Sequence, residues 1–155
     1  MAWPTATAQS SAHQAIEARL VAQWVDGSLY RTAIQFPGVL GLVDTDKATV
    51  LATPPTSAAW LKLDVIHGDT EAATYGGTSG SNLTLVIIQL TLFVPRQRGM
   101  AQMNELAGLA RVIFNRYHAN GLRCNASSFQ LLPDEKGWMA GMVRTVCEYF
   151  EEVTT

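Results

Sequence analysis

Two parts of the chain repeat their apolar residues every three or four positions, the spacing that puts side chains on one face of an α-helix. The first helix is predicted to begin at Ser11, which forms a capping box with Gln14, and to end at Asp26–Gly27. Its apolar stripe recurs at four-residue spacing in Ala12, Ile16, Leu20 and Trp24, and it also includes Ala15 and Val21. The second helix is predicted over 100–119, because Asn120–Gly121 is a typical C-terminal stop.

A long strand is predicted from Leu83 to Val94, and both of its faces are largely apolar. One face carries Thr84, Val86, Ile88, Leu90, Leu92 and Val94, and the other carries Leu83, Leu85, Ile87, Gln89, Thr91 and Phe93. An antiparallel strand with one solvated face alternates more cleanly between apolar and polar residues. The second face must therefore be covered as well, either by a helix of the same chain or by a neighbouring subunit.

Weaker patterns predict the remaining elements. Residues 60–67 alternate between a mostly apolar and a partly charged face, 31–36 are extended, and the Pro- and Gly-containing segment 37–57 is predicted as loops around one or two short strands. Residues 68–82 form a Gly-, Thr- and Ser-rich connection. After the second helix, strands are predicted at 122–125, 127–132 and 138–151, with a turn at 133–137.

This order of elements predicts an α+β fold in which two helices pack on one face of a mainly antiparallel sheet. We expect a single domain over 1–155, with 1–10 as a flexible N-terminal segment. The longest apolar stretch, 83–94, is far shorter than the roughly 20 residues that cross a bilayer, so no membrane association is expected. Residues 1–11 lack the basic start and apolar centre of a secretory signal.

The composition points to association with other chains. The 155 residues have a net charge of -2, which argues against coating nucleic acid or anionic lipid. Only 15% of the residues are charged, whereas about 25% is usual in soluble domains. Part of the surface is therefore expected to be covered by another copy or a partner, the alternative being a monomer with an uncharged polar surface.

Few residues suggest a catalytic, metal-binding or cofactor-binding role. His67, Asp69 and Glu71 could be drawn as metal ligands or an acid–base pair, but His13 and His118 lie far away in sequence, so a structural histidine before a turn is the favoured interpretation. The loop 75–81 lacks the lysine and the following helix of a phosphate-binding loop. Cys124 and Cys147 are expected as reduced thiols on neighbouring strands. We expect no catalytic residue, metal ligand or cofactor.

One compact basic spot is formed by Arg96 and Arg98, between the long strand and the second helix. These arginines either solvate a loop or, if repeated around a ring of subunits, meet an acidic partner or DNA phosphates.

Several segments together resemble the small tail terminator proteins of long-tailed bacteriophages, prophages and gene-transfer particles. They are the stretch from Trp60 to Asp69, the loop with Gly76 and Gly77, the apolar strand ending in Val94–Pro95, the helix after Gly99, and the last strand from Gly137–Trp138 to Tyr149–Glu151. The resemblance covers about Ala15 to Glu152. The segment 39–53 is longer than the family pattern.

The resemblance implies a structural virion protein. Tail terminators form hexameric rings at the head-proximal end of the tail tube, stop its elongation and offer the surface on which the head connector docks. The implied partners are further copies of the chain, the tube protein and the connector, with DNA passing through the lumen without sequence-specific binding. The implied location is the virion tail, assembled in the bacterial host cytoplasm.

Eight residues are candidates for the subunit or tube interface: Tyr75, Gly76, Gly77, Leu85, Ile87, Phe93, Arg96 and Arg98. Two alternatives remain at this stage. One is another ring of the head–tail junction, such as a head completion or adaptor protein or a tube subunit. The other, from a different class, is a small enzyme that uses His67, Asp69 and Glu71.

Overall fold

The computed structural model of the protein describes residues 8–25, 32–44, 49–54, 58–72, 80–96, 99–119 and 121–153. Its helices are α1 (Ala8–Leu20), which continues into a π-helical turn (Val21–Val25), and α2 (Gly99–Phe114). Its strands are β1 (Ala33–Gln35), β2 (Leu42–Val43), β3 (Val50–Leu51), β4 (Trp60–Ala72), β5 (Gly80–Pro95), β6 (His118–Ala119), β7 (Leu122–Cys124), β8 (Ser128–Glu135) and β9 (Trp138–Val153).

All the described strands belong to one sheet, in the order β3-β2-β1-β4-β5-β9-β7-β6. Strand β8 pairs with the first half of β9, on the side where β7 pairs with the second half. Every pairing is antiparallel except that of β1 with β4. Both helices pack on the same face of β5 and β9. The expected α+β fold with a mainly antiparallel sheet is therefore confirmed.

The main core lies between the helices and that face of the sheet. One face of β5 forms its floor, and none of its six residues is more than 1% exposed: Thr84, Val86, Ile88, Leu90, Leu92 and Val94. On β4, Leu61 and Leu63 are fully buried beside it, as their alternation predicted. Gly141 of β9 lets α2 approach, because a Cβ there would lie 2.6 Å from the Phe129 ring and 2.9 Å from Met103 Sδ.

The predicted stripe of the first helix is confirmed at Ala12, Ile16, Leu20 and Trp24, which are completely buried, whereas Ala15 and Val21 are only half-buried. A strict four-residue spacing overruns the helical period by about 40° at each step. The wider π-helical turn at Val21–Val25 compensates for this drift and keeps Trp24 on the core side. The helix begins at Ala8, three residues before the predicted Ser11, whereas residues 1–7 and the predicted stop at 26–27 lie outside the described residues.

The long connection predicted over 68–82 was wrong, because β4 continues to Ala72 and β5 already begins at Gly80. The pairing register shifts between His67 and Thr70, which is typical of a β-bulge. The extra residue breaks the apolar–polar alternation, so the sequence pattern stops at the bulge although the strand does not. Only 73–79 remains between the two strands, and that segment lies outside the described residues.

The predicted end of the second helix was also wrong. Helix α2 ends at Phe114, and Arg116 takes the left-handed conformation (φ 55°) that commonly follows a helix. Asn-Gly is also the sequence of two-residue hairpin turns. Here Ala119 pairs with Leu122 across it, so 118–124 forms a small hairpin at the edge of the sheet.

Candidate interaction surface

The sheet face opposite the helices, which we call the open face, is formed mainly by β4, β5, β9 and β8. None of the described helices packs on it. The part of this face that the chain leaves uncovered runs from Leu83 to Gln89 over about 20 Å, and β4, β5 and β9 span about 14 Å there, giving on the order of 300 Å². A standard protein interface covers about 800 Å² per partner. The uncovered part of the open face is therefore large enough to form the centre of an interface, but not a whole one.

An apolar patch occupies one end of the open face. The strand register aligns Ile66 with Ile87 and Ile87 with Val146, and it pairs Leu83 with Phe150. We call these residues and Leu85 the open-face patch: Ile66, Leu83, Leu85, Ile87, Val146 and Phe150. Its most exposed members are Ile66 (45%), Leu85 (42%) and Phe150 (41%). The strand register also places Glu148 opposite Leu85, so one acidic residue interrupts the patch on β9. Exposed apolar residues grouped in this way mark interaction sites.

Gly68 shapes the patch from the neighbouring strand. A Cβ at Gly68 would lie 3.2 Å from Leu85 Cβ, closer than most side chains tolerate. The glycine therefore allows β4 to run close beside Leu85.

The opposite end of the open face is covered by the chain itself. The ring of Trp60 stacks on Phe93 with centroids 4.2 Å apart and meets Trp138 edge-on at 6.5 Å. Ala33 and Leu42 are buried against Trp60, which is only 8% exposed. A polar band separates this aromatic cluster from the open-face patch and contains Lys62, Asp64, Gln89 and Arg144. The Lys62 Nζ to Asp64 Oδ2 distance is 4.0 Å.

The structure places the predicted interface residues in three different settings. Leu85 and Ile87 lie in the open-face patch, whereas Phe93 belongs to the aromatic cluster. Arg96 forms an ion pair with Asp134 (3.4 Å), and its N–H donates to the carbonyl of Gly137, which ties the end of β5 to the β8–β9 hairpin. Tyr75, Gly76, Gly77 and Arg98 lie outside the described residues.

Four members of the patch are absent from the predicted set: Ile66, Leu83, Val146 and Phe150. Ile66 sits on the face of β4 that also carries Lys62 and Asp64, so its sequence context suggested a solvated position. A pairing of β4 with β5 that sets Ile66 opposite Ile87 would have indicated that Ile66 belongs to the patch.

His67 lies on the helix-covered side of β4, next to α1. Its ring stacks on His13 with centroids 6.4 Å apart, and His13 Nε2 contacts Glu17 Oε1 at 3.2 Å. Burial, followed by the nearby His13, lowers the pKa of His67, which keeps it neutral at pH 7. Its Nδ1 is buried without a hydrogen-bond partner. Asp69 and Glu71 belong to β4, but their side chains lie outside the described set.

The described part of the chain contains no group of three or more histidine, cysteine, aspartate or glutamate residues placed to hold a metal ion. None of its helices has the length and hydropathy needed to span a membrane.

No protein-family model matches the chain, and no curated protein matches it. Among solved structures, the chain is similar to a protein whose name states no function, with 14% sequence identity and a TM-score of 0.50. The match covers 92% of this chain and 95% of the other. At this identity the likeness supports the α+β fold alone.

Proposed function

We propose that the protein is a structural subunit of the tail terminator class. In this role, copies of the chain close into a ring, with six copies as the resemblance implies. The ring caps the tail tube, stops its elongation and presents the docking surface for the head connector.

The observation that carries the proposal is the open-face patch. Its three most exposed members are large apolar side chains on neighbouring strands, and no described helix covers them. Burying apolar surface stabilises an assembly by about 25 cal/mol per Å². A second copy that covers the patch would supply this stabilisation, and the low charged fraction of the whole chain favours the same arrangement.

A closed ring also fits the asymmetry of the molecule. Rings form through heterologous contacts, in which two different surfaces of each copy meet. One sheet face of this chain is covered by its own helices and the other is open, so the two sides of the subunit differ. The net charge of -2 is compatible with a lumen through which DNA slides without tight binding.

The first experiment measures the assembly state of the purified protein by light scattering and electron microscopy, alone and with tail tubes. We expect rings, and rings at one end of the tubes. Leu85→Glu should abolish assembly because it adds a second carboxylate to the patch, opposite Glu148. The matched control is Val112→Glu, at a residue of α2 that is 67% exposed on the helix side of the sheet; it should assemble normally. Monomers under all these conditions would contradict the proposal.

A second experiment separates a terminator from other proteins of the head–tail junction. Particles made without the protein should have overlong or irregular tails if it is a terminator. Tails of normal length that fail to join heads would indicate an adaptor or head completion protein instead.

A further inference from the structure

The two cysteines of the chain lie directly opposite each other in the sheet. Cys124 is on β7 and Cys147 is on β9, and the strand register pairs their Cα positions. Both side chains belong to the main core, where Cys124 is 3% exposed and Cys147 is completely buried. The proposed ring uses neither of them.

The pairing geometry suits a disulfide bond. The neighbouring pair is joined by a hydrogen bond from the Asn125 N–H to the Val146 carbonyl, whereas the Cys124 N–H donates away from β9, to the Tyr117 carbonyl. Hydrogen-bonded and non-hydrogen-bonded pairs alternate, so the cysteines form a non-hydrogen-bonded pair with Cα atoms about 4.5 Å apart. Disulfides join Cα atoms that are about 4.4–6.8 Å apart, so the bond does not require the strands to separate.

The two side chains are turned towards each other. Their sulfur atoms are 2.9 Å apart, so a disulfide needs a movement of roughly 1 Å. The chain has no third cysteine that could compete for either thiol. Buried cysteines are often small apolar core residues that never react. The direct opposition of these two sulfur atoms favours a reactive pair instead.

The thiols are reached through the edge of the sheet. Strands β6 and β7, which we call the edge hairpin, are the last two in the strand order, and the register pairs β7 with β9 at three positions. Short elements at an edge open more readily than the centre of a sheet. The closed protein shields both thiols from reagents, so their reaction requires the edge hairpin to open.

We propose that Cys124 and Cys147 form a reversible disulfide that locks the edge hairpin onto β9. When the hairpin opens, one cysteine thiolate attacks a low-molecular-weight disulfide such as oxidised glutathione, bonds to one glutathione and releases the other as a thiolate. The second cysteine thiolate then attacks this mixed disulfide and releases the remaining glutathione. The protein loses two electrons and two protons, and one oxidised glutathione becomes two reduced molecules.

The bond would stabilise the edge of the sheet. It closes a covalent loop over 124–147, which contains β8 and the first part of β9, and it prevents β7 from separating from β9. Closing such a loop restricts the unfolded chain, so the oxidised protein is expected to be more stable than the reduced one. The inference does not depend on the proposed ring, because both cysteines belong to one copy.

The first test measures how readily the disulfide forms. The full-length protein, folded or in urea, is equilibrated with oxidised glutathione at a fixed concentration of reduced glutathione. Free thiols are then alkylated and the products are analysed by mass spectrometry. We expect a monomer lighter by two hydrogen atoms, with a peptide that links Cys124 to Cys147. Because the fold holds the thiols together, half-oxidation should need at least about tenfold less oxidised glutathione for the folded protein.

Two results of this test would overturn the inference. One is half-oxidation of the folded and unfolded protein at the same concentration of oxidised glutathione. The other is a folded protein that yields only unreacted thiols, glutathione adducts or disulfide-linked dimers of two copies. The same measurement leaves the proposed function untouched, since it requires no assembly.

A matched control moves one cysteine to the other face of β7. The double variant Cys124→Ala with Arg123→Cys keeps two thiols at nearly the same separation in sequence, but position 123 is paired with Glu148 and lies on the opposite face. It should take up glutathione without forming an internal disulfide. An internal disulfide at the concentration that oxidises the unmodified protein would show that facing side chains are not needed, and would overturn the inference.

Thermal unfolding gives an independent measure of the bond. A tenfold preference for the disulfide in the folded state corresponds to a rise in Tm of about 3–6 °C on oxidation. Calorimetry of the oxidised and reduced protein measures the rise, and Cys147→Ala given the same treatment should show none. Equal Tm values of the oxidised and reduced protein would contradict a bond that stabilises the sheet edge.

A pair of glycine variants tests the opening of the edge hairpin. Gly121 in the hairpin and Gly137 in the β8–β9 turn have φ values of 83° and 84°. A Cβ would lie 2.8 Å from the Phe150 carbonyl oxygen at Gly121, but would meet nothing within 4 Å at Gly137. Gly121→Ala should therefore loosen the hairpin, and the thiols of the reduced protein should react with a thiol reagent about tenfold faster or more than in Gly137→Ala. Equal rates would show that the thiols are not reached through the hairpin, which overturns the inference.

Discussion

At the scale of single residues, the contact between the two cysteines affects thiol reactivity and the pH dependence of stability. Cys124 and Cys147 face each other across β7 and β9 with their sulfur atoms 2.9 Å apart. The hydrogen bond to Cys124, together with burial, raises the pKa of the Cys147 thiol well above its ordinary value. A protonated, buried thiol reacts slowly, so Cys147 is expected to be inert in the folded protein.

The raised pKa predicts a loss of stability at alkaline pH. In the unfolded chain the Cys147 thiol ionises with a pKa of about 8.5, whereas in the folded protein it stays protonated. The free energy of unfolding should therefore fall above about pH 8.5, by up to about 1.4 kcal/mol per pH unit for this group. Urea unfolding across this range checks the slope. Cys147→Ala should reduce it, and an unchanged slope would contradict the assignment.

Replacing two glycines with alanine is expected to change the free energy of unfolding in opposite directions. Gly141→Ala pushes a methyl group against Phe129 and Met103, so the free energy of unfolding should decrease by about 1–3 kcal/mol. Gly108 lies on α2, where an added Cβ would meet no atom within 4 Å, so Gly108→Ala should increase it by about 0.5–1 kcal/mol. Thermal or urea unfolding measures both. Stabilisation by Gly141→Ala would mean that α2 does not approach β9 as closely as described.

At the scale of elements, one arginine joins the two helices. Arg19 of α1 donates from Nε to the Ile113 carbonyl in the last turn of α2 at 3.1 Å. Its guanidinium carbon also lies 4.2 Å from the centroid of the Tyr117 ring. A cation near a helix C-terminus is favoured by the helix dipole. Arg19 therefore fixes the end of α2 relative to α1 by three weak interactions at once.

Removing this side chain should destabilise the protein. Arg19→Ala is expected to lower the free energy of unfolding by about 1–2 kcal/mol, since it deletes a charge-assisted hydrogen bond and a cation–π contact. Arg19→Lys should recover only part of the loss, because an ammonium group lacks the planar guanidinium geometry. Gln14→Ala, at an exposed position of the same helix, serves as the control. Equal effects of Arg19→Ala and Gln14→Ala in urea unfolding would refute this role.

The elements could be predicted where the spacing of apolar residues, helical or alternating, continues without interruption. The stripe of α1 and the alternation of β5 both lead to the observed buried faces. The prediction failed where the local signal has two meanings or is interrupted: Asn120–Gly121 fits a helix stop as well as a hairpin, and the bulge after His67 conceals the rest of β4. In both places tertiary pairing with a neighbouring strand decides the structure.

At the scale of the whole molecule, the open face was only partly predictable. The two apolar faces of β5 indicated that something must cover the second one, and Leu85 and Ile87 do lie uncovered by the described helices. The position of Ile66 and Phe150 beside them depends on how β4 and β9 align with β5, which is a long-range property. Phe93 lies on the same face, yet Trp60 from β4 stacks on it, and no pattern within β5 indicates this contact.

Covering the open face by another copy predicts that thermal stability depends on protein concentration. A partner that binds only the folded state adds about 2.7 kcal/mol of stability when its concentration is a hundred times the dissociation constant. For a chain of this length, about 1 kcal/mol corresponds to a shift of about 2–4 °C in Tm. A hundredfold increase in protein concentration should therefore raise the Tm by several degrees, measured by calorimetry.

The variants of the open-face patch locate the source of that shift. Leu85→Glu should have a Tm that is independent of concentration, because a charged side chain would have to lose its hydration to enter the contact. Val112→Glu adds the same charge on the helix side of the molecule and should keep the dependence of the unmodified protein. If the Tm of both variants still depends on protein concentration, the copies meet through a surface other than the patch. If the Tm of the unmodified protein does not depend on concentration, the open face stays exposed in solution and self-association loses its physical cause.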